Sequence, residues 1–287
     1  MCDNNVTTTG QAAPVNKKSG IPAGVICIMV GILLFILGLV LYNIFGSSSR
    51  KKLKDYSESY SAADVTKLDL DIEWASFTIE KSEDDNIYID AKDVPKTFEA
   101  SVSGNTFKIS FGKQSVNLVP FSTFLDKNRV DPTIVLQLPE KVYSSFVLDL
   151  GAGETNISGI SCGDLDIECG AGKVSFNDIS CDKCVIDCGA GELDINNIIC
   201  EGLLDIDGGA GKIYVNGVLG GIDIDQGVGD FEFSGTMNGN IDADGGVGKI
   251  TFRLTNPPDD FYNDGGKYKL NIDTGVGSAN VYYSQGQ

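Results

Sequence analysis

Between Phe146 and Phe252, apolar and polar residues alternate one by one, and Gly-Ala/Val-Gly triplets interrupt the alternation at nearly fixed intervals. The triplets begin at Gly151, Gly170, Gly189, Gly209, Gly227, Gly246 and Gly275, giving steps of 19, 19, 20, 18, 19 and 29 residues. Five residues before each triplet stand Phe146, Leu165, Cys184, Leu204, Ile222, Ile241 and Leu270; three before stand Leu148, Ile167, Ile186, Ile206, Ile224, Ala243 and Ile272. Period two means a strand with one face in the core and one in water. After the triplet the alternation resumes with Val174 and Phe176, Leu193 and Ile195, Ile213 and Val215, Phe231 and Phe233, and Ile250 and Phe252 pointing inward. Each repeat therefore reads as two short strands joined at a glycine corner, and an Asn/Gly-rich corner such as Asn216-Gly217 follows. A fixed period in this range is the signature of stacked repeats. The predicted fold is all-β, a single-stranded β-solenoid of about 19-residue coils.

Two polar columns sharpen this reading. The residue after each triplet runs Glu154, Lys173, Glu192, Lys212, Asp230, Lys249. Stacked in register about 4.8 Å apart, these charges attract their neighbours and penalise a slip. Two residues before each triplet stand Asp149, Glu168, Asp187, Asp207, Asp225, Asp244 and Asp273, acidic in every copy. Like charges side by side cost stability. The column is the candidate ligand- or cation-facing site, open to a cation or a basic partner.

Residues 1–20 are polar and read as a disordered tail. Residues 21–46 are almost wholly apolar and uncharged, long enough as a helix to span a hydrocarbon core of about 30 Å, so one transmembrane helix is expected ahead of the solenoid. Residues 47–64 read as a polar linker, 65–145 as irregular N-terminal β coils and 146–283 as the regular repeats. Trp74-Ala75-Ser76 takes the place of a glycine triplet in the first, irregular copy. Strands are predicted around Ile87–Ala91, Phe98–Val102, Thr106–Phe111 and Ile134–Leu138, with a turn at Gly104-Asn105. Val116 to Arg129 is a longer, partly apolar loop whose Phe121 and Phe124 read either as a cap on the stack or as an exposed contact patch, and Leu254 to Lys269 carries ten residues beyond the repeat. Lys17 and Lys18 precede the apolar stretch, whereas Arg50, Lys51, Lys52 and Lys54 follow it. By the positive-inside rule alone the large domain would be cytoplasmic, although long domains can cross regardless of such flanks.

Composition then narrows the function. The 287 residues include 22 Lys/Arg and 40 Asp/Glu. Six of the bases and one of the acids lie in residues 1–54, leaving 16 against 39 and a net charge of −23 on the rest. Such a surface excludes nucleic acid, which needs basic groups to release counterions. There is no histidine, which removes Ser-His triads and most zinc chemistry. Six of the eight cysteines fall on repeat positions, with Cys162, Cys181 and Cys200 equivalent, Cys169 and Cys188 equivalent, and Cys184 in an inward column. They read as stacked core thiols rather than a metal centre, because Cys181-x-x-Cys184 has no second pair. A Gly-rich calcium nonapeptide would need an Asp where Lys212 and Lys249 stand. A polysaccharide-cleaving β-helix would concentrate carboxylates at one irregular place, and here they recur in every repeat. No catalytic residue, metal or cofactor is expected.

Leu68-Asp69-Leu70-Asp71-Ile72, Leu138-Pro139 and runs such as Asp166-Ile167-Glu168-Cys169-Gly170-Ala171-Gly172-Lys173-Val174 resemble the putative-adhesin family of bacterial membrane proteins, a domain of unknown function. The resemblance spans roughly residues 65–283. It implies a β-solenoid anchored by one helix on the extracytoplasmic side, in some members within envelope-stress systems, and it brings no catalytic residues. The combined expectation is a non-enzymatic, adhesin-like binding or scaffold module at the cell membrane. Its partners would be the lipid bilayer together with a basic peptide, an envelope component or a partner membrane protein. The alternatives are a cytoplasmic-side self-assembling scaffold or a β-helix polysaccharide-cleaving enzyme.

Overall fold

Strand β2, Lys67–Lys81, carries Leu68, Leu70, Ile72, Phe77 and Ile79 into the core at every second position, and both of its edges are paired. The computed structural model describes residues 53–111, 131–261 and 266–283, all within one unit. The expected tail, the membrane helix over 21–46, residues 47–52 of the linker and the loop with Phe121 and Phe124 lie outside the described residues. Among the described residues no helix is long and apolar enough to cross a membrane.

These residues are nearly all β. The remaining strands are β1 Leu53–Ser61, β3 Asn86–Pro95, β4 Glu99–Ser103, β5 Thr106–Ser110, β6 Thr133–Leu138, β7 Val142–Met237, β8 Ile241–Leu254 and β9 Leu270–Tyr283. Their order in the sheet is β1-β3-β6-β2-β7-β8-β9, with β5 also on β2 and β4 on β5. The start of the sheet is antiparallel, β1 on β3, β3 on β6 and β4 on β5. From β2 to β9 it is parallel.

The parallel part follows the repeat. Leu68 pairs with Phe146 and Leu70 with Leu148, and Ala75 of the Trp-Ala-Ser segment pairs with Gly153 of the first triplet. Further on, Asp225 pairs with Asp244 and Asp244 with Asp273. The ten extra residues between β8 and β9 therefore leave the register intact. They depart through Asn256, whose buried amide donates to Met237 O at 2.9 Å and accepts from Met237 N at 2.8 Å. Pro257 and Pro258 follow, and proline has no N–H with which to continue a ladder. A short 3-10 turn, Pro258–Phe261, packs Phe261 against Tyr268 and Tyr283.

The inward columns are buried as the alternation requires, from Phe146, Leu165, Cys184 and Leu204 to Phe176, Phe233 and Phe252. The alternating charges meet: Lys173 Nζ lies 2.8 Å from Glu192 Oε1, and Asp230 pairs with Lys249 along the ladder. Both side chains of the Lys173–Glu192 pair are exposed, so the contact adds little energy. Its value lies in fixing register.

One expectation changes, and the corners add a detail. Residues 53–61, assigned to the linker, form β1 on the edge of β3; the polar run hides an alternation in which Tyr56 and Tyr60 share a side and both hydroxyls reach Ala100 O. The first glycine of each triplet does not have positive φ. The third does in the first six triplets, with +135° at Gly172, +143° at Gly191 and +154° at Gly211. Gly170, Gly189 and Gly209 are constrained differently: a Cβ on them would sit 2.3–2.5 Å from the backbone oxygen of the preceding repeat's equivalent glycine. The second corner is left-handed at Gly159, Asp178 and Asn197, with the Asn197 amide donating to Asp178 Oδ1 at 2.6 Å.

Candidate functional site

The strand before each triplet turns one face outward, and all seven residues of the acidic column, Asp149, Glu168, Asp187, Asp207, Asp225, Asp244 and Asp273, are exposed on it. A second outward column runs alongside, two residues earlier, and contains Asp166, Asp205, Asp223 and Asp242. The face is most acidic across the repeats of Asp205/Asp207, Asp223/Asp225 and Asp242/Asp244. There the chain forms a broad, open groove of about 740 Å³, bordered by Asp207, Asp225, Asp244 and Asp273 and floored by the triplet glycines. The glycines account for its shape, because a backbone without side chains leaves the carboxylates standing above it. Asn271 continues the second column and donates from its amide to Asp242 Oδ1 at 2.8 Å.

The carboxylates act on one another. Burial, followed by the fields of Asp205, Asp242, Asp225 and Asp244, raises the Asp223 carboxyl above its ordinary value. At the charge-alternating column the sign reverses, and the hydrogen bond with Lys173 lowers the Glu192 carboxyl. Among the described residues no three His, Cys, Asp or Glu side chains converge to hold a metal ion. In-register strands space carboxylates along a line, whereas calcium needs six to eight oxygens around a point. The face suits an extended cation with several charges.

Beneath the triplets lies a different surface, a narrow crevice with room for about 30 Å³. Cys169 and Cys188 line it and are half-buried, whereas Cys162, Cys181, Cys184 and Cys200 are buried in the core, all six as free thiols. Burial pushes the Cys162 thiol up to about 12. The column that holds Cys169 and Cys188 continues as Gly208 and Gln226. Gln226 is 5% exposed, and its buried Oε1 accepts no hydrogen bond among the described residues. Sequence reasoning missed this residue, although a glutamine in a column otherwise made of Leu150, Cys169, Cys188, Gly208, Gly245 and Thr274 was a visible signal.

Residues 65–278 match the Toastrack DUF4097 family. The chain belongs to that family. No match was found among curated proteins. Among solved structures, the Toastrack chain is similar to a putative cell adhesion protein from Clostridium sporogenes at 16% identity and a TM-score of 0.36, covering 81% of this chain and 100% of the other. A putative adhesin from Bacteroides fragilis aligns at 14% identity and a TM-score of 0.41, covering 82% and 100%. A putative lipid binding protein from Parabacteroides distasonis aligns at 15% identity and a TM-score of 0.40, covering 81% and 97%.

For the Toastrack acidic face the raised Asp223 carboxyl sets a pH dependence. A folded value above the unfolded one means that the native state binds more protons, so this group lowers stability as pH rises through the carboxylate range. The penalty is complete above the folded value and absent below the unfolded one. Asp223→Asn is therefore expected to raise the melting temperature at pH 7 and to leave it unchanged near pH 3. An equal gain at both pH values would show that the effect is not electrostatic.

Proposed function

We propose that this chain is a non-enzymatic, membrane-anchored binding module: a β-solenoid of about 19-residue coils that presents its acidic column to a basic, extended partner. The observation that carries this is the open groove bordered by Asp207, Asp225, Asp244 and Asp273, in which like charges repeat at strand spacing and the two acidic columns contain no basic residue. The field of such an array draws a polycation in, and binding relieves the mutual repulsion of its carboxylates. The partner class is a basic peptide, or a basic segment of an envelope component or membrane protein. A role in sensing or regulating envelope stress fits a tethered receptor of this kind. The apolar stretch 21–46 supplies the anchor, and the family resemblance favours the extracytoplasmic side.

The test uses the full chain in detergent with a lysine-rich peptide of about ten residues. Binding should weaken steeply between about 50 and 200 mM salt, as expected for exposed charges. The triple variant Asp207→Asn, Asp225→Asn, Asp244→Asn should lose at least tenfold in affinity, whereas Asp85→Asn, away from the face, should not. Equal loss in both would remove the groove from the proposal. In the same protein, the extra labelling gained by Ser48→Cys with an impermeant thiol reagent should appear in intact cells. Labelling only after lysis would place the domain in the cytoplasm and favour the scaffold reading, for which the four bases after residue 49 speak.

A further inference from the structure

The narrow crevice borders the acidic groove at Gly208, Gly209 and Gln226 and extends away from it along the earlier repeats. Cys169 and Cys188 occupy equivalent positions one repeat apart, immediately before Gly170 and Gly189. Three contacts fix the 19-residue offset around them: a Cβ on Gly189 would lie 2.5 Å from Gly170 O, Lys173 Nζ is 2.8 Å from Glu192, and the Asn197 amide is 2.6 Å from Asp178. The two thiols are half-buried and line the crevice, in contrast to the four core cysteines. The column offers no third sulfur, since Leu150 precedes the pair and Gly208 follows it. Asp149, Glu168 and Asp187 stand exposed on the neighbouring outward column.

We propose that Cys169 and Cys188 form a two-sulfur site for a soft monovalent cation, with Cu(I) as the probe. Thiolates select such ions. A linear S–Cu–S unit spans two metal–sulfur bonds, a length comparable to the roughly 4.8 Å between in-register strands. The ladder therefore holds the two sulfurs near the required separation without bending the backbone. A tetrahedral divalent ion would need four ligands. A disulfide would need the Cβ atoms drawn together to about 3.8 Å and a dihedral near 90°, which in-register strands resist. The balance is two thiols plus Cu(I) giving a dithiolate complex of net charge −1 and two released protons. No electron moves, and the reduced thiols of the folded chain are the reactants.

The test uses the full chain with Cys2→Ser and Cys27→Ser, reduced, loaded with Cu(I) without oxygen and challenged with a Cu(I)-chelating dye. One ion per chain should resist the dye, with two sulfur neighbours by X-ray absorption. Either Cys169→Ser or Cys188→Ser should lower retention at least a hundredfold, and Cys162→Ser should leave it unchanged. A second readout needs no variant at the site: Cu(I) loading should protect Cys169 and Cys188, and no other cysteine, from alkylation, as read by peptide mass. Undiminished retention in Cys188→Ser, three or four sulfur neighbours, or unprotected Cys169 and Cys188 in the loaded protein would each overturn the proposal.

Discussion

Gly191→Val should abolish cooperative folding of the repeat region, with no native-like thermal transition by circular dichroism. Residue 191 has φ of +143°, where side chains other than hydrogen are strained, and a Cβ there would lie 2.0 Å from Gly172 O and 2.9 Å from Gly172 N. Those atoms belong to the ladder of the stacked repeat and cannot move aside without breaking it. The loss should exceed about 4 kcal/mol, the range reserved for specific structural damage, against a total domain stability on the order of 5–15 kcal/mol. Gly159→Ala provides the contrast. Its φ is +73°, but a Cβ would meet nothing within 4 Å, so only the left-handed backbone strain of about 1–2 kcal/mol applies. If both variants melt alike, the close approach of backbone to backbone is not what demands glycine at the corner.

Phe252→Ala should cost about 3–5 kcal/mol, the usual range for a large buried aromatic. Phe252 is fully buried, with its ring centroid 5.6 Å from that of Phe231 and 6.0 Å from that of Phe233. In a stack where each repeat touches only its neighbours, the damage falls nearest the end. Amide exchange should therefore accelerate in β8 and β9 while β2 stays protected. Uniform acceleration through β2 would indicate that the repeats melt as one unit.

The amino-acid pattern told much of this in advance. Period two placed Leu148, Ile167, Ile206 and Phe233 in the core because a strand has only two faces, and the register followed from counting between glycines. The family, too, was legible in short motifs around Asp69 and Gly170. What escaped were features that depend on how one repeat lies on the next. Positive φ belongs to the third glycine in the first six triplets because the chain reverses its side-chain alternation there, and composition cannot distinguish that glycine from the first. Strand β1 was hidden because its inward residues, Tyr56 and Tyr60, carry hydroxyls and sit among serines. The outward position of the acidic column was readable, but the groove under Asp225 and Asp244 needed the glycine floor to be seen in three dimensions. The half-open thiols of Cys169 and Cys188 differ from the four core cysteines only in accessibility, and the burial of Gln226 depends on the repeats on either side of it.

The intact pairing of Asp244 with Asp273 across ten additional residues has an evolutionary corollary. Genetic material can enter at that bend, or whole units can be duplicated or deleted, without redesigning the remaining rows. The length of the array then becomes a trait that selection can extend or shorten in steps, like links in a chain, while the chemistry along it is inherited unchanged.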